Sequence, residues 1–209
     1  MPSPPSGRRV ETIEQLESLY GTVADRSLIK EVDYITDSYR EFLERSPFAV
    51  VATVGPAGLD CSPRGDPAGF VRVVDECTVM MPDRRGNNRL DSLRNLLHDP
   101  RISLLFLIPG IGETMRINGR ADVVADPELC RSFSIEGKVP QTVLVVHVER
   151  IYFQCQKALA RSRLWDSASQ APPDAVPTAG KMLAELTNGE FDDKGYDSGY
   201  PDYLKKTIY

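Results

Sequence analysis

Cysteine is scarce and scattered. Cys61, Cys77, Cys130 and Cys155 include no Cys-x-x-Cys pair, which argues against a disulfide frame and a structural zinc site and fits reduced thiols. No run approaches the roughly 18 consecutive apolar residues of a membrane-spanning helix. The segment Met1-Pro2-Ser3-Pro4-Pro5-Ser6-Gly7-Arg8-Arg9 lacks the apolar stretch of a secretory signal, so a soluble cytoplasmic protein is expected. Positive charge is also in deficit: 25 Lys+Arg against 30 Asp+Glu leave a net charge of -5, the wrong sign for a main partner such as nucleic acid or an acidic membrane. Neither Gly-x-Gly-x-x-Gly nor Gly-Lys-Ser/Thr occurs, which disfavours nucleotide binding by those two routes. The two histidines, His98 and His147, fall in a short helical stretch and in a strand pattern, and fit poorly as a catalytic pair. No metal is expected.

What is present is an ordinary apolar content of 41%, enough for a packed core. Residues 1–9 are rich in Pro, Ser and Gly and are expected to be disordered. Thr12 with Gln15 resembles a capping box, and Ile13, Leu16, Leu19 and Tyr20 follow at helical spacing. Ile29, Val32, Ile35, Tyr39, Phe42 and Leu43 form a second helical face that ends before Ser46-Pro47. Strands are then expected at 48–54, 59–62, 70–74, 78–81, 102–108, 113–124 and 142–153, the sixth interrupted at Asn118-Gly119. Short helices fall at 90–97, 127–133 and 155–161. A polar, Pro/Ala-rich linker follows, then a helix at 179–186 and a tyrosine-containing tail. Six or seven closely spaced strands broken only by short helices favour a closed antiparallel barrel over a βαβ sheet.

The most informative segment is Pro82-Asp83-Arg84-Arg85-Gly86-Asn87-Asn88-Arg89, between a strand and an amphipathic helix with Leu90, Leu93, Leu96 and Leu97 on one side. The first N–H groups of a helix lack internal partners, and arginine forks add fixed charge with bidentate geometry. Together they suit a small anion such as a phosphate. Read locally, the same residues also make a solvated basic turn.

Four motifs occur in order: Ser62-Pro63-Arg64-Gly65-Asp66-Pro67, the arginine segment, Glu113-Thr114-Met115-Arg116-Ile117-Asn118-Gly119-Arg120, and Lys157-Ala158-Leu159-Ala160-Arg161-Ser162 with Leu164-Trp165. Over residues 30 to 209 the chain resembles the pyridoxamine 5'-phosphate oxidase-like FMN-binding split-barrel proteins, in the subgroup of probable FMN-dependent enzymes. The resemblance implies a mainly β protein with peripheral helices, built on a six-stranded antiparallel FMN-binding split β-barrel. It also implies a homodimer with one flavin mononucleotide (FMN) in each of two grooves between subunits. The implied organisation is a barrel domain with its N-terminal helices over 10–165, a linker at 166–177, and a C-terminal helix and tail over 178–209 packed on the barrel or dimer.

By the same resemblance Arg84, Arg85, Asn87, Asn88 and Arg89 sit near the FMN phosphate, with Arg64 approaching from an adjacent strand end. Asp66 is a candidate acceptor for the flavin N3–H or the ribityl hydroxyls, or a turn aspartate bonded to its own backbone. Thr114 and Arg116 share one face of their strand with Asn118 and are candidates for reaching the flavin of the other subunit. Lys157, Arg161 and Trp165 are spaced by four on a helix or its continuation. They form either a lid over the flavin edge or a tryptophan packed in the core or dimer interface with two cations around it. Cys155 reads as a buried structural thiol. The implied activity is FMN-dependent oxidation or reduction of a small molecule. The rivals are a non-catalytic flavin or haem binder, for which His147 is the best-placed axial ligand, and a reductase using deazaflavin F420.

Overall fold

The computed structural model describes residues 9–209. The disorder expected of residues 1–9 falls on 1–8, outside the described residues. The chain divides into two compact units, at Glu31 and Val32. The first carries α1 (Ile13–Tyr20) and α2 (Asp25–Ile29). At the start of α1 the Thr12 Oγ1 accepts the Gln15 N–H at 3.2 Å, and the Gln15 Oε1 accepts the Glu11 N–H at 3.0 Å.

The second unit opens with a correction. The helical face expected from Ile29 through Leu43 is broken, because Val32 bridges Ile151 and the Ile35 N–H bonds the Glu76 carbonyl at 2.6 Å. With those backbone groups claimed by the sheet, α3 (Asp37–Arg45) starts only at Thr36, whose hydroxyl caps the Tyr39 N–H. Seven strands follow: β1 (Phe48–Gly55), β2 (Gly58–Gly65), β3 (Arg72–Asp75), β4 (Thr78–Asp83), β5 (Arg101–Leu107), β6 (Thr114–Val124) and β7 (Thr142–Gln154). Between and after them lie α4 (Asp91–His98), α5 (Pro127–Ser132), α6 (Lys157–Ser162), α7 (Ala179–Leu186) and α8 (Asp193–Thr207).

All pairings are antiparallel, in the order β2-β1-β5-β6-β7-β4-β3. The sheet therefore holds seven strands and is not closed, with β2 and β3 as its edges. Pro63 is tolerated in β2 because an edge strand need not donate on its outer side. Alternation decides the buried face. Ile102, Leu104 and Phe106 of β5 join Ala49 and Val51 of β1, Met115 and Ile117 of β6, and Val146 and Ile151 of β7 in one cluster. Each large side chain so buried contributes roughly 1.5–3 kcal/mol. The expected interruption of β6 is a bulge at Asn118/Gly119. A Cβ at Gly119 would lie 2.0 Å from the His147 carbonyl oxygen, so only glycine permits this approach of β6 to β7.

The tail is more regular than its composition suggests. Gly195, Gly199 and Pro201 argue against a helix, yet α8 spans Asp193–Thr207 and starts at Asp192, which accepts the Gly195 N–H at 3.0 Å. Tertiary contact overrides weak propensity here, since the Asp197 carboxylate accepts both the Gly180 N–H and the Thr178 hydroxyl at the start of α7.

Candidate functional site

The loop between β4 and α4 is held in a costly backbone shape. Asn88 and Leu90 both have φ of 59°. Asparagine tolerates that region, whereas for leucine it costs about 1–2 kcal/mol. The Asn87 Oδ1 accepts the Arg89 N–H at 3.1 Å and fixes the turn. Leu90 is the residue before α4 and offers no side-chain acceptor, so the first N–H groups of that helix are left without a cap.

The loop forms one wall of a cleft of about 880 Å3. The end of β2 supplies Ser62 and Arg64, α4 supplies Ser92, and residues 137–142 close the other side. That last segment is placed by a tight turn in which Glu136 and Gly137 both take positive φ, at 50° and 77°, so that Ile135 and Lys138 pair. Five cationic residues line the cleft, Arg64, Arg84, Arg85, Arg89 and Lys138, against the three acids Asp60, Asp83 and Asp91.

These cations are not equally available. Arg84 is consumed internally: its Nε lies 2.5 Å from the Asp66 Oδ2, and its Nη1 donates to the Phe133 carbonyl at 2.7 Å. Asp66, 1% exposed, does not line the cleft and is neither an open acceptor nor a self-bonded turn residue; it is the buried counter-ion of Arg84. Arg89 pairs with Asp91 at 2.8 Å on the surface, a contact of the kind worth little in water. Arg64 donates to the Ser62 hydroxyl at 2.6 Å and the Pro63 carbonyl at 2.9 Å, with Asp83 at 3.7 Å. Burial pushes the Asp83 carboxyl up from its ordinary range, and Arg64 only partly offsets this. Arg85 and Lys138 have no ion pair or hydrogen bond to the described residues through their side chains.

The cleft also collects residues that sequence reasoning missed. Lys138 was signalled only by the turn-forming Gly137. Thr142 had no signal, yet its Oγ1 is buried without a hydrogen-bond partner while the residue lines the cleft. Tyr209 reaches the cleft from beyond α8. Ser92 donates to Asp60 at 2.6 Å, joining α4 to β2 within the same wall.

Thr114, Arg116, Lys157, Arg161 and Trp165 do not line this cleft. Arg116 donates to the Tyr152 hydroxyl at 3.0 Å and to the Gln154 Oε1 at 3.4 Å, and the Thr114 hydroxyl faces the same Oε1 at 3.5 Å. Lys157 and Arg161 are exposed on α6. The four-residue spacing does not carry Trp165 onto their helix face, because Arg163 turns left-handed at φ 53° and ends α6. Instead the Trp165 indole N–H donates to the Ile111 carbonyl at 2.8 Å. Cys155 is exposed, not buried: it follows the last residue of β7, where the chain leaves the sheet. His147 lies on an exposed sheet face, its Nε2 3.1 Å from the Asp122 carboxylate.

A match to a sequence family places the chain. No curated protein matches the chain. Among solved structures, HupZ from Group A Streptococcus is 21% identical, with a TM-score of 0.45 over 56% of this chain and 91% of that one. A candidate pyridoxamine 5'-phosphate oxidase of Lactobacillus delbrueckii is 15% identical, with a TM-score of 0.44 over 58% and 95%. A protein related to general stress protein 26, from Clostridium acetobutylicum, is 14% identical, with a TM-score of 0.42 over 64% and 91%. The sequence profile of pyridoxamine 5'-phosphate oxidase matches residues 35–155, from the residue before the Thr36 cap of α3 to just past β7. That match takes in more than half of the chain, which therefore belongs to the pyridoxamine 5'-phosphate oxidase family.

Proposed function

We propose that the cleft holds the phosphate end of FMN and that the protein is a homodimeric, FMN-dependent oxidoreductase acting on a small molecule. The observation that carries this reading is that Arg64, Arg85, Arg89 and Lys138 line one cleft together with the uncapped start of α4. The donor set fits the group. FMN ends in a phosphate with nearly two negative charges, and the cleft offers two cations without partners among the described residues, helix N–H groups and the orphaned Thr142 hydroxyl. Its volume of about 880 Å3 is in the range of cofactor sites.

Arg64, Arg85, Asn88, Arg89, Lys138 and Thr142 would hold the phosphate and the adjoining chain, and Arg84 with Asp66 would keep the loop in shape. When bound, FMN supplies two-electron transfer by hydride exchange at its N5. The protein's part is to bind, orient and exclude water, so no covalent nucleophile is required. In the proposed dimer the second copy brings Thr114, Arg116, Lys157, Arg161 and Trp165 to the cleft, where a cation would stabilise negative charge on the reduced ring. The antiparallel sheet, bent by the bulge in β6, is read as the split barrel of this class. No helix among the described residues is long and apolar enough to cross a membrane. Cys61, Cys77 and Cys155 are exposed and none is in a disulfide among the described residues, which suits a reducing compartment, and the cytoplasm is the proposed setting.

The test is to identify the chromophore that co-purifies, by visible absorption and mass spectrometry, and then to follow its reduction by NADH or NADPH. A flavin spectrum with the mass of FMN is expected. A Soret band, the mass of F420, or a colourless protein that does not bind added FMN overturns the assignment, and bound FMN that no donor reduces leaves a flavin-binding protein in place of an enzyme.

A further inference from the structure

Tyr209 lies two residues beyond α8, more than a hundred residues from the arginine loop, and yet lines the same cleft. Its ring sits beside Arg84, with the guanidinium carbon 5.8 Å from the ring centroid. Its hydroxyl interacts with the Asp66 carboxylate, the buried partner of Arg84. Tyr209 thus touches both members of the ion pair that fixes the loop, while Arg85, the next residue, keeps its charge unpaired. A phenol suits this position: its face accommodates a guanidinium, and its O–H satisfies a carboxylate that water barely reaches. Desolvation and the Asp66 contact push the phenol's pKa above its ordinary value, so it remains a neutral donor throughout the physiological range.

We propose that Tyr209 is a positioning residue of the anion cleft: by clasping Asp66 and Arg84 it holds the arginine loop in its binding shape and slows the escape of the bound phosphoryl group. This rests on the reading of the cleft as a phosphate site. Tyr209 acts through Arg84 and Asp66, whose own groups are already committed, and the loop they anchor carries Arg85, Asn88 and Arg89. Loosening the clasp lets the loop sample other shapes, which reduces the fraction of protein competent to bind.

The experiment compares wild type, Tyr209→Phe and Tyr209→Ala. FMN dissociation is followed by the recovery of flavin fluorescence, and each apoprotein's melting temperature is measured in parallel. Tyr209→Phe keeps the ring and loses the hydroxyl, and should speed dissociation on the order of threefold. Tyr209→Ala loses both and should speed it on the order of tenfold or more, with the melting temperature of the apoprotein little changed, since the ring contact with Arg84 and the hydroxyl's hydrogen bond are lost together and each can account for roughly a threefold change. Unchanged or slower dissociation in Tyr209→Ala overturns the proposal, as does a loss of melting temperature without a change in dissociation. If wild type fails to bind FMN, the functional reading falls, and inorganic phosphate becomes the probe, scored by the rise in melting temperature it produces. A smaller rise in Tyr209→Ala than in wild type then supports the role of Tyr209, and an equal rise, or none in either protein, overturns it.

Discussion

The cleft beside α4 and the group around the start of β6 contain similar residues in opposite states. In the cleft, Arg85, Lys138 and the Thr142 hydroxyl have no partner among the described residues, and the start of α4 has no cap. Around β6, Arg116 is bonded to Tyr152 and Gln154, and Trp165 donates to the Ile111 carbonyl. Arg85 and Lys138 are exposed and stay hydrated without a ligand, so both charges are open to an incoming anion, while the buried Thr142 hydroxyl lacks a partner that a ligand could supply. The β6 group is already satisfied within the single chain, and a ligand would have to compete with those bonds or share them. Under the proposed function the first region is the anion site, and the second contributes only if a second copy brings it there.

The sharpest way to break this contrast is to remove the two free cations together. Arg85→Ala with Lys138→Ala should weaken FMN binding on the order of a hundredfold or more, since each lost charged hydrogen bond costs about 1.5–3 kcal/mol. Calorimetric titration measures this, and an equal loss from Arg116→Ala alone would erase the distinction between the regions. Next in size is Asp66→Ala, which strands the half-buried Arg84 and should destabilise the fold by about 3 kcal/mol in urea unfolding, because breaking a buried pair leaves an uncompensated charge.

A smaller effect of opposite sign is expected at Asp83. Burial raises its carboxyl pKa, so the folded state binds that proton more tightly than the unfolded chain. Its contribution to stability is then full below the ordinary carboxylate value and is lost as pH rises through the raised one. Asp83→Asn should therefore stabilise the protein at pH 7, with the gain vanishing near pH 3, and should tighten FMN binding a few-fold by removing a like charge. Lower stability of the variant at pH 7 would mean that the Arg64 contact outweighs burial. The smallest effect belongs to Trp165→Phe: losing the N–H to Ile111 should cost about 1 kcal/mol or less at this half-exposed position. A large drop in FMN affinity from that change would show that the indole belongs to the site.

Much of the sheet was legible because its signals are local. Runs such as Arg101–Leu107 alternate core and non-core residues, and Asn118-Gly119 marks the bulge. The helix over Asp193–Thr207 was hidden by its glycines and proline, since what stabilises it is contact with α7. The arginine loop could be seen, but the fate of each arginine could not. Sequence neighbours Arg84 and Arg85 are chemically identical; one is neutralised by Asp66 and the other is free.

From the residues alone came the antiparallel strands and a cationic loop ahead of a helix, which depend on short-range periodicity and turn chemistry, while the family came from a resemblance carried by four motifs in order. Only the tertiary structure decided which charges remain available, because a charge is cancelled by whatever the fold places beside it. Asp66, Phe133, Lys138, Thr142 and Tyr209 come from distant parts of the chain, and their meeting at the loop depends on sheet register and on where α8 ends.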